Sequence, residues 1–430
     1  MKLIPRDQHN VSRKNISRNA LKVMARLHEF DHQAYLVGGA VRDLLLGGHP
    51  KDFDVATSAT PEEVNDLFKN SRIIGRRFRI VHVRFGREII EVTTFRGHHE
   101  ADVGSAKSQT AQRSDKGLLL RDNVYGTLEE DAVRRDLTVN ALYYDSSSFE
   151  VFDHVGGIED LEARQVRVIG DPEERYREDP VRMLRSVRFA AKLGFTIEDE
   201  SREPIAQLAG LLKDVPAARL FDEFGKLFLA GYAEDTLRHM QANSLLEPLF
   251  PDTARLSSEN DFNQRLIEIA MANTDARIRA EKPVTPAFIL AALLWPAVCE
   301  RKQQLEARGD APVPAMHGAG QEIVAQACAR IAIPRRFSMP MREIWEMQLR
   351  LERTQGKRAV ELMSKRRFRA AYDFLLLREE AGEDCGGLGA IWTKMQEEHG
   401  PIVVEEAPRE SRRPPRRRRR GGRRNEQPPS

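Results

Sequence analysis

Apolar residues recur every three to four positions from Leu21 to Phe30, with Leu21, Met24, Ala25 and Leu27 on one face, and this spacing predicts a helix. Ala34 to Val37 is a short apolar run broken by Gly38-Gly39, so a strand is expected to turn there into a helix over Ala40 to Leu46. Phe53 to Ala56 reads as a second strand, with Asp52 and Asp54 flanking Phe53. Pro61-Glu62-Glu63 opens a helix for which Thr60 is the expected cap. Arg79 to Phe85 and Glu88 to Phe95 read as strands joined by a tight turn at Gly86-Arg87. From Gly97 to about Tyr125 the chain is polar and aperiodic and reads as a long loop, either functional or disordered. Order returns over Ala132 to Tyr144. Asp171-Pro172-Glu173-Glu174 has the form of a helix start, and from there to about residue 395 the pattern is helical, punctuated by Pro and Gly. No internal repeat is present, and the last stretch, RRPPRRRRRGGRRNEQPPS, is low-complexity and not expected to fold alone.

The pattern predicts an α+β chain: a flexible N-terminus (1–19), a mixed head (20–150), a helical neck (151–270), a helical C-terminal body (271–400) and a disordered basic tail (401–430). Composition agrees with several packed domains, since 41% of the 430 residues are hydrophobic and 31% charged. No apolar run approaches ~18 residues, so a membrane span is not expected. MKLIPRDQHNVSRKN has no apolar core of a secretory leader. Three separated cysteines, Cys299, Cys328 and Cys385, make neither a disulfide framework nor a metal knuckle and read as thiols in a reducing cytoplasm. A net charge of +3 hides an asymmetry: residues 409–430 hold ten arginines against two glutamates, so the rest of the chain is mildly acidic. Such a tail suggests an acidic partner such as nucleic acid.

Three constellations carry candidate chemistry. In the first, Gly38-Gly39 precedes Asp52-Phe53-Asp54. Carboxylates at i and i+2 of a strand share a face and can hold divalent cations through oxygen. The Gly-Gly turn offers bare backbone N–H groups to a triphosphate, and Arg42 a bidentate phosphate contact. An Asp-x-Asp alone is more often a solvated pair; the strand–turn–helix context is what points to phosphoryl or nucleotidyl transfer. Glu91 is a candidate third carboxylate or else an edge-strand charge, and Arg96 either reaches a phosphate or lies on the surface. The second constellation is Arg134-Arg135-Asp136 with Asn140. If helical, Asp136 and Asn140 share a face and can bond a ribose; otherwise Asp136 is a helix cap. The third is Glu178-Asp179-Pro180-Val181-Arg182, continued by Arg185 and Arg188 beside a stripe of Leu184, Val187 and Ala191. An Asp–Arg pair three apart can present a donor and acceptor edge to a nucleobase, though Asp179 before Pro180 is also a good cap.

Together these stretches, LVGGAVRDLLLGGHPKDFDVATSATPEEV, EVTTFR, RRDLTVNALYYD and EDPVRMLRSVRFAAKLGF, resemble the class II tRNA nucleotidyltransferase and bacterial poly(A) polymerase family, densely from about residue 34 to 200. The resemblance implies a nucleotidyltransferase palm in the head. It implies that Asp52 and Asp54 hold Mg²⁺ while a primer 3′-hydroxyl attacks the nucleotide α-phosphate and releases pyrophosphate. It places Asp136 among the catalytic residues, with Arg135 beside it. It implies that Gly38, Gly39, Arg42, Arg135, Asp179, Arg182, Arg185 and Arg188 line the nucleotide, and that Asp179 with Arg182 reads the base without a template. IIGRRFRIVHVRFGREIIEVTTFRGHHE and LLRDNVYGTLEEDAVRRD are similar to the polyadenylating branch, which uses ATP. CCA addition to tRNA is the alternative, and a non-catalytic RNA-binding scaffold the alternative of another class. The intact Asp52 and Asp54 argue against a scaffold, because close like charges are costly without a cation. Expected partners are RNA 3′ ends, gripped through Arg416, Arg417, Arg418, Arg419 and Arg420, and RNA-decay proteins on the same tail, with the protein a monomer. Lys365-Arg366-Arg367-Phe368-Arg369 either offers a stacking ring or ends a helix with Phe368 in the core.

Overall fold

The computed structural model describes residues 1–75, 79–97 and 124–399, together with the backbone of 111–113 and 119–122. The tail expected at 401–430, with its arginines 416–420, lies outside the described residues. The fold is mixed α+β. Strands are β1 Lys2–Ile4, β2 Ala34–Val37, β3 Asp54–Thr57, β4 Ser71–Ile74, β5 Ile80–Phe85, β6 Glu88–Thr94, β7 Ala111–Arg113, β8 Leu119–Asp122, β9 Leu142–Tyr144 and β10 Val151–Asp153. All but β7 and β8 form one eight-stranded sheet ordered β1-β10-β9-β2-β3-β6-β5-β4. Its β3–β6 pair is parallel, with Asp54 opposite Glu91, while β2 runs antiparallel to β3 with Val37 opposite Asp54. The candidate carboxylate thus stands in mid-sheet, where the β2 strand turns away at Gly38.

Local rules explain most of these elements. Helix α1 Arg18–Glu29 is capped by Ser17 and buries Val23, Met24 and Leu27. Helix α2 Gly39–Leu45 follows the Gly38 turn. Helix α3 Pro61–Leu67 has the expected Thr60 cap, extended to a full capping box with Glu63. The Gly86-Arg87 hairpin joins β5 to β6 as expected. The stretch read as one loop from Gly97 to Tyr125 contains the antiparallel pair β7–β8. Its strands are three and four residues long, too short to show an alternating pattern.

After β10 the described chain is helical apart from a two-residue parallel bridge, Gln165–Val166 with Thr196–Ile197. The helices nearest the head in sequence are α4 Leu128–Arg134, α5 Gly157–Glu162, α6 Pro172–Glu178, α7 Val181–Leu193, α8 Asp199–Leu208 and α9 Ala217–Phe228. One continuous apolar core runs from the sheet through these helices into the body. There the helix Pro286–Ala307 is buried without a break from Ile289 to Val298. Trp345 anchors a neighbouring helix to it by donating its ring N–H to the Ala291 carbonyl at 3.0 Å. A second core gathers Leu375, Trp392 and Phe368. Phe368 is 4% exposed and packs on Trp392, so the core reading of that residue holds and the stacking reading falls. The three cysteines are part-buried free thiols.

One close approach locks the sheet to the helices. Gly157 opens α5 against the 3-10 turn Thr138–Asn140, so a Cβ there would stand 2.4 Å from the Thr138 carbonyl oxygen and 3.1 Å from Leu142 Cδ2. Backbone cannot yield as a side-chain tip can. Gly157→Ala should therefore cost about 2 kcal/mol, the usual scale of overpacking. The expected result is a melting temperature lower by several degrees, read by calorimetry, and an unchanged melt would show that the turn has room to move.

Candidate active site

The site is built on the loop that leaves β2. Gly38 has φ +76° and ψ −136°, a conformation that L side chains rarely adopt, and this lets the chain turn from strand to helix within one residue. A Cβ on Gly38 would lie 3.8 Å from the Arg135 guanidinium, so that side chain reaches over the turn. Asp54 begins β3 directly across from Val37. Asp52 does not share the strand, as the sequence suggested, but sits exposed on the approach to it. Burial pushes the Asp54 carboxyl up to about 6, Glu91 and Asp52 add to the rise, and Arg135 opposes it.

Glu91 is not an edge charge, because β6 lies between β3 and β5 in the interior of the sheet. It stands beside Asp54 in register and takes His82 Nε2 at 3.2 Å. Among the described residues no group of three or more His, Cys, Asp or Glu side chains is close enough to cage a metal. Glu91 and Asp52 both act on Asp54 through charge, and Asp52 and Asp54 are the carboxylates at the mouth of the turn. Such a pair suits Mg²⁺, which binds through one or two carboxylates and completes its shell with water and substrate phosphate. The raised Asp54 is the observation that fits: two further negative groups are held beside a buried acid, an arrangement that a cation relieves.

Arg135 is held from behind. Its Nε donates to Tyr143 Oη at 2.8 Å and its terminal nitrogen to Asp131 Oδ2 at 2.9 Å, while the Tyr143 hydroxyl donates to the same oxygen at 2.6 Å. Burial alone would lower the Arg135 pKa; Tyr143 and Asp131 outweigh it and hold the charge in place. Sequence reading found Arg135 and missed Asp131 and Tyr143. Their spacings of four and eight residues were visible, but the helix ends between them.

That ending also overturns the shared face of Asp136 and Asn140. Helix α4 stops at Arg134, Arg135 is its extended C-cap, and Thr138–Asn140 form a separate 3-10 turn. Asp136 accepts a hydrogen bond from Arg185 Nε, and its other oxygen accepts Leu137 N–H at 2.9 Å. Asn140 accepts from Arg42. Arg42 itself is 1% exposed, donates twice to Asp43 at 2.6 and 2.8 Å, and folds back against Gly39. Its charge lies behind the turn, so no exposed fork is presented to a phosphate.

Helix α7 carries the arginine series, and its Leu184, Val187 and Ala191 are buried as expected. Each member of the predicted Asp179–Arg182 pair is held by another partner. Arg182 donates to Glu178 at 2.9 Å and to the Arg175 carbonyl at 2.8 Å. Asp179 takes both ends of the Arg219 guanidinium, at 2.8 and 2.6 Å, a bidentate clamp from α9. Arg219 lies 40 residues from Asp179 and carried no local signal. Arg188 stacks at 4.7 Å on Phe189, which Arg42 and Arg185 also approach. Burial and the Arg185 charge push Arg188 below its ordinary value. Its Nε has no partner, and neither does Oε2 of the buried Glu223 on α9. Lys192 is also pushed down, by burial and by Arg42. Arg175, pushed down to about 10 by burial and Arg182, donates to the carbonyls of Arg134 and Arg135 and so fixes the end of α4. The arginines of α7 are thus close enough to oppose one another's charge, a setting that an anion stabilises.

The chain that builds this site is similar to a set of known proteins. Residues 34–167 match the family described as the Poly A polymerase head domain. Residues 194–256 match a probable RNA and SrmB-binding site of polymerase A, and 308–425 the polymerase A arginine-rich C-terminus. Poly(A) polymerase I of Escherichia coli O157:H7 is 53% identical over 381 residues, 88% of this chain and 82% of that protein. The chain belongs to the poly(A) polymerase family. A CCA-adding enzyme of Bacillus pumilus is 36% identical over 231 residues, 54% of each chain. Among solved structures, the Bacillus stearothermophilus CCA-adding enzyme in complex with CTP aligns with a TM-score of 0.53 at 25% identity, over 88% of this chain and 82% of that one.

The Asp136–Arg185 pair makes a pH-dependent contribution to folding. Burial alone would raise Asp136, but Arg185 outweighs it and holds the carboxyl at about 2. An unfolded aspartate titrates near ~3.9. The pair's stabilisation is therefore complete above that value and is lost as the pH falls from about 4 to about 2. In a double variant, Asp136→Asn with Arg185→Gln, the denaturant midpoint should fall less steeply than in wild type across this window. Parallel curves would mean that the pair does not titrate with folding.

Proposed function

We propose that this protein is a template-independent polynucleotide adenylyltransferase. It transfers AMP from ATP to RNA 3′ ends and releases pyrophosphate. The observation that carries the reading is the buried Asp54, raised by neighbouring carboxylates and set against the Gly38 turn, with Arg135 over that turn and the α7 arginines beyond. Similarity to enzymes named Poly(A) polymerase I over most of the chain supports ATP and RNA as substrates.

Asp52 and Asp54 would hold Mg²⁺, which when bound lowers the pKa of the attacking hydroxyl and neutralises charge on the departing pyrophosphate. The chain's own groups set the geometry. Arg135 is fixed by Asp131 and Tyr143 on the triphosphate side of the turn. The Gly38-Gly39 backbone leaves room for phosphate oxygens. The primer 3′-oxygen bonds to the α-phosphorus, the bond to the β-phosphate bridging oxygen breaks, and the hydroxyl proton leaves to solvent or a site carboxylate. Arg185 and Arg188 supply the remaining positive charge.

Base choice rests on Asp179 and Arg182. Adenine presents an N6 donor beside an N1 acceptor, and the carboxylate and guanidinium complement that edge. Clamped at both oxygens by Arg219, Asp179 cannot swing to follow a smaller base, so one purine size is read. The arginine-rich tail adds sequence-independent RNA affinity, as a polyadenylating enzyme needs.

The test is primer extension with Mg²⁺ on an unstructured RNA and on a tRNA lacking its 3′ CCA, each given ATP, CTP or both. Long ATP-only tails on both RNAs are expected, whereas arrest after CCA on the tRNA would make it a CCA-adding enzyme. Asp54→Asn should abolish incorporation while RNA binding persists, and residual transfer would reject the assignment of that carboxylate. Arg219→Ala should leave the fold intact and narrow the preference for ATP over CTP by about tenfold. Unaltered selectivity would move base recognition elsewhere.

A further inference from the structure

Helix α9 touches the nucleotide site with one face and the body with another. Ala332 donates its N–H to the Ala217 carbonyl, the first residue of α9, at 3.1 Å. The body helix Arg335–Leu351 starts there. Its Phe337 stacks on Phe221 of α9, with ring centroids 5.8 Å apart and planes at 29°. Two residues before Phe221 stands Arg219, which clamps Asp179.

Arg335 and Arg336 project from this seam, and both are exposed. Some surface charges of the body are paired, Arg367 with Glu343, His317 with Glu346 and Arg301 with Glu322. Among the described residues no carboxylate lies within ion-pair distance of Arg335 or Arg336. Arg336 lies over the Phe337 ring at 4.8 Å. Arg335 donates to the Met339 thioether at 3.4 Å, and Met339 is 38% exposed. The first turn of this helix has no acidic residue, so two positive charges stand at its positive end. That placement costs folding free energy. Cations without counter-charges beside an exposed, polarizable thioether match single-stranded nucleic acid, which brings phosphates for the former and a base face for the latter. The patch also continues the surface of α9, which lies within the segment resembling a probable RNA-binding site.

We propose that Arg335, Arg336, Phe337 and Met339 form a shelf that grips single-stranded RNA upstream of the 3′ end being extended. This rests on the reading of the protein as an RNA adenylyltransferase. The two arginines contact phosphates and Met339 supports an unpaired base, while Phe337, covered by Phe221 and Arg336, fixes the turn that carries them. The shelf has no part in choosing the incoming nucleotide.

The experiment measures equilibrium binding of a fluorescent unstructured RNA to the full-length protein, without nucleotide, over a range of salt. For Arg335→Ala with Arg336→Ala, affinity should fall about tenfold near ~0.15 M salt, and the plot of log K against log salt should flatten by about 1.4, or ~0.7 per lost phosphate contact. Arg335→Lys with Arg336→Lys should restore the slope, which a merely structural defect would not allow. In turnover, the KM for RNA should rise while the KM for ATP stays constant. Unchanged RNA affinity and slope would overturn the shelf and leave the patch to a protein partner. A rise in the ATP KM with no change in RNA binding would overturn it too. Wild-type protein that adds no AMP to any RNA, yet binds RNA through the shelf, would instead overturn the adenylyltransferase reading.

Discussion

The site depends on keeping the Arg135 guanidinium between a glycine turn and a buried carboxylate. Without it, Asp54 would face Glu91 and Asp52 with no opposing charge, and burial already favours its neutral form. The guanidinium cannot be held by Asp54 alone, since that carboxylate would then be unavailable to a cation. Asp131 and Tyr143 solve this by taking Arg135 from the far side, and they share one carboxylate oxygen to do so. Helix α4 must therefore end at Arg134. If it continued, Arg135 would point along a helix face and not across the sheet. The end is enforced by Arg175, whose guanidinium binds the carbonyls of Arg134 and Arg135.

The same problem recurs along α7, where Arg182, Arg185 and Arg188 follow one another at every third position beside a buried stripe. Each arginine is assigned a counter-charge from another segment: Glu178 for Arg182, Asp136 for Arg185, and the nearby Glu223 for Arg188. The partners come from α6, the loop after α4, and α9. Sheet, neck and helix α9 must consequently be docked before the series is stable. Arg188 and Glu223 remain imperfectly paired, each with an unsatisfied buried atom.

Local physics made much of this legible. Thr60 and Asp171 announced their helices by side-chain chemistry that acts within three residues, and Gly86-Arg87 announced its hairpin in the same way. Asp52, Asp54, Gly38 and Arg135 stood out by type and local neighbours, and the structure brings Gly38, Asp54 and Arg135 together. What stayed hidden was long-range. Nothing near Arg219 marks it as the partner of Asp179, and nothing in EIIEVTTFR says that its strand lies inside the sheet. The Asp136–Asn140 face failed for a different reason, since the helical period was assumed across a boundary set by Arg175 some 40 residues downstream. The burial of Arg42 stayed hidden too, because nothing local says that Asp43 and Asn140 together take its guanidinium.

Helix α9 shows why those long-range partners matter for function. Arg219 and Glu223, four residues apart, face α7 and the nucleotide site, while Phe221 faces the body helix and Phe337. The ring contact and the salt bridge thus share one rigid turn of helix. Seating α9 on the body helix therefore also fixes where Arg219 stands, so Asp179 is held by a residue whose position is set from outside the segment that carries it.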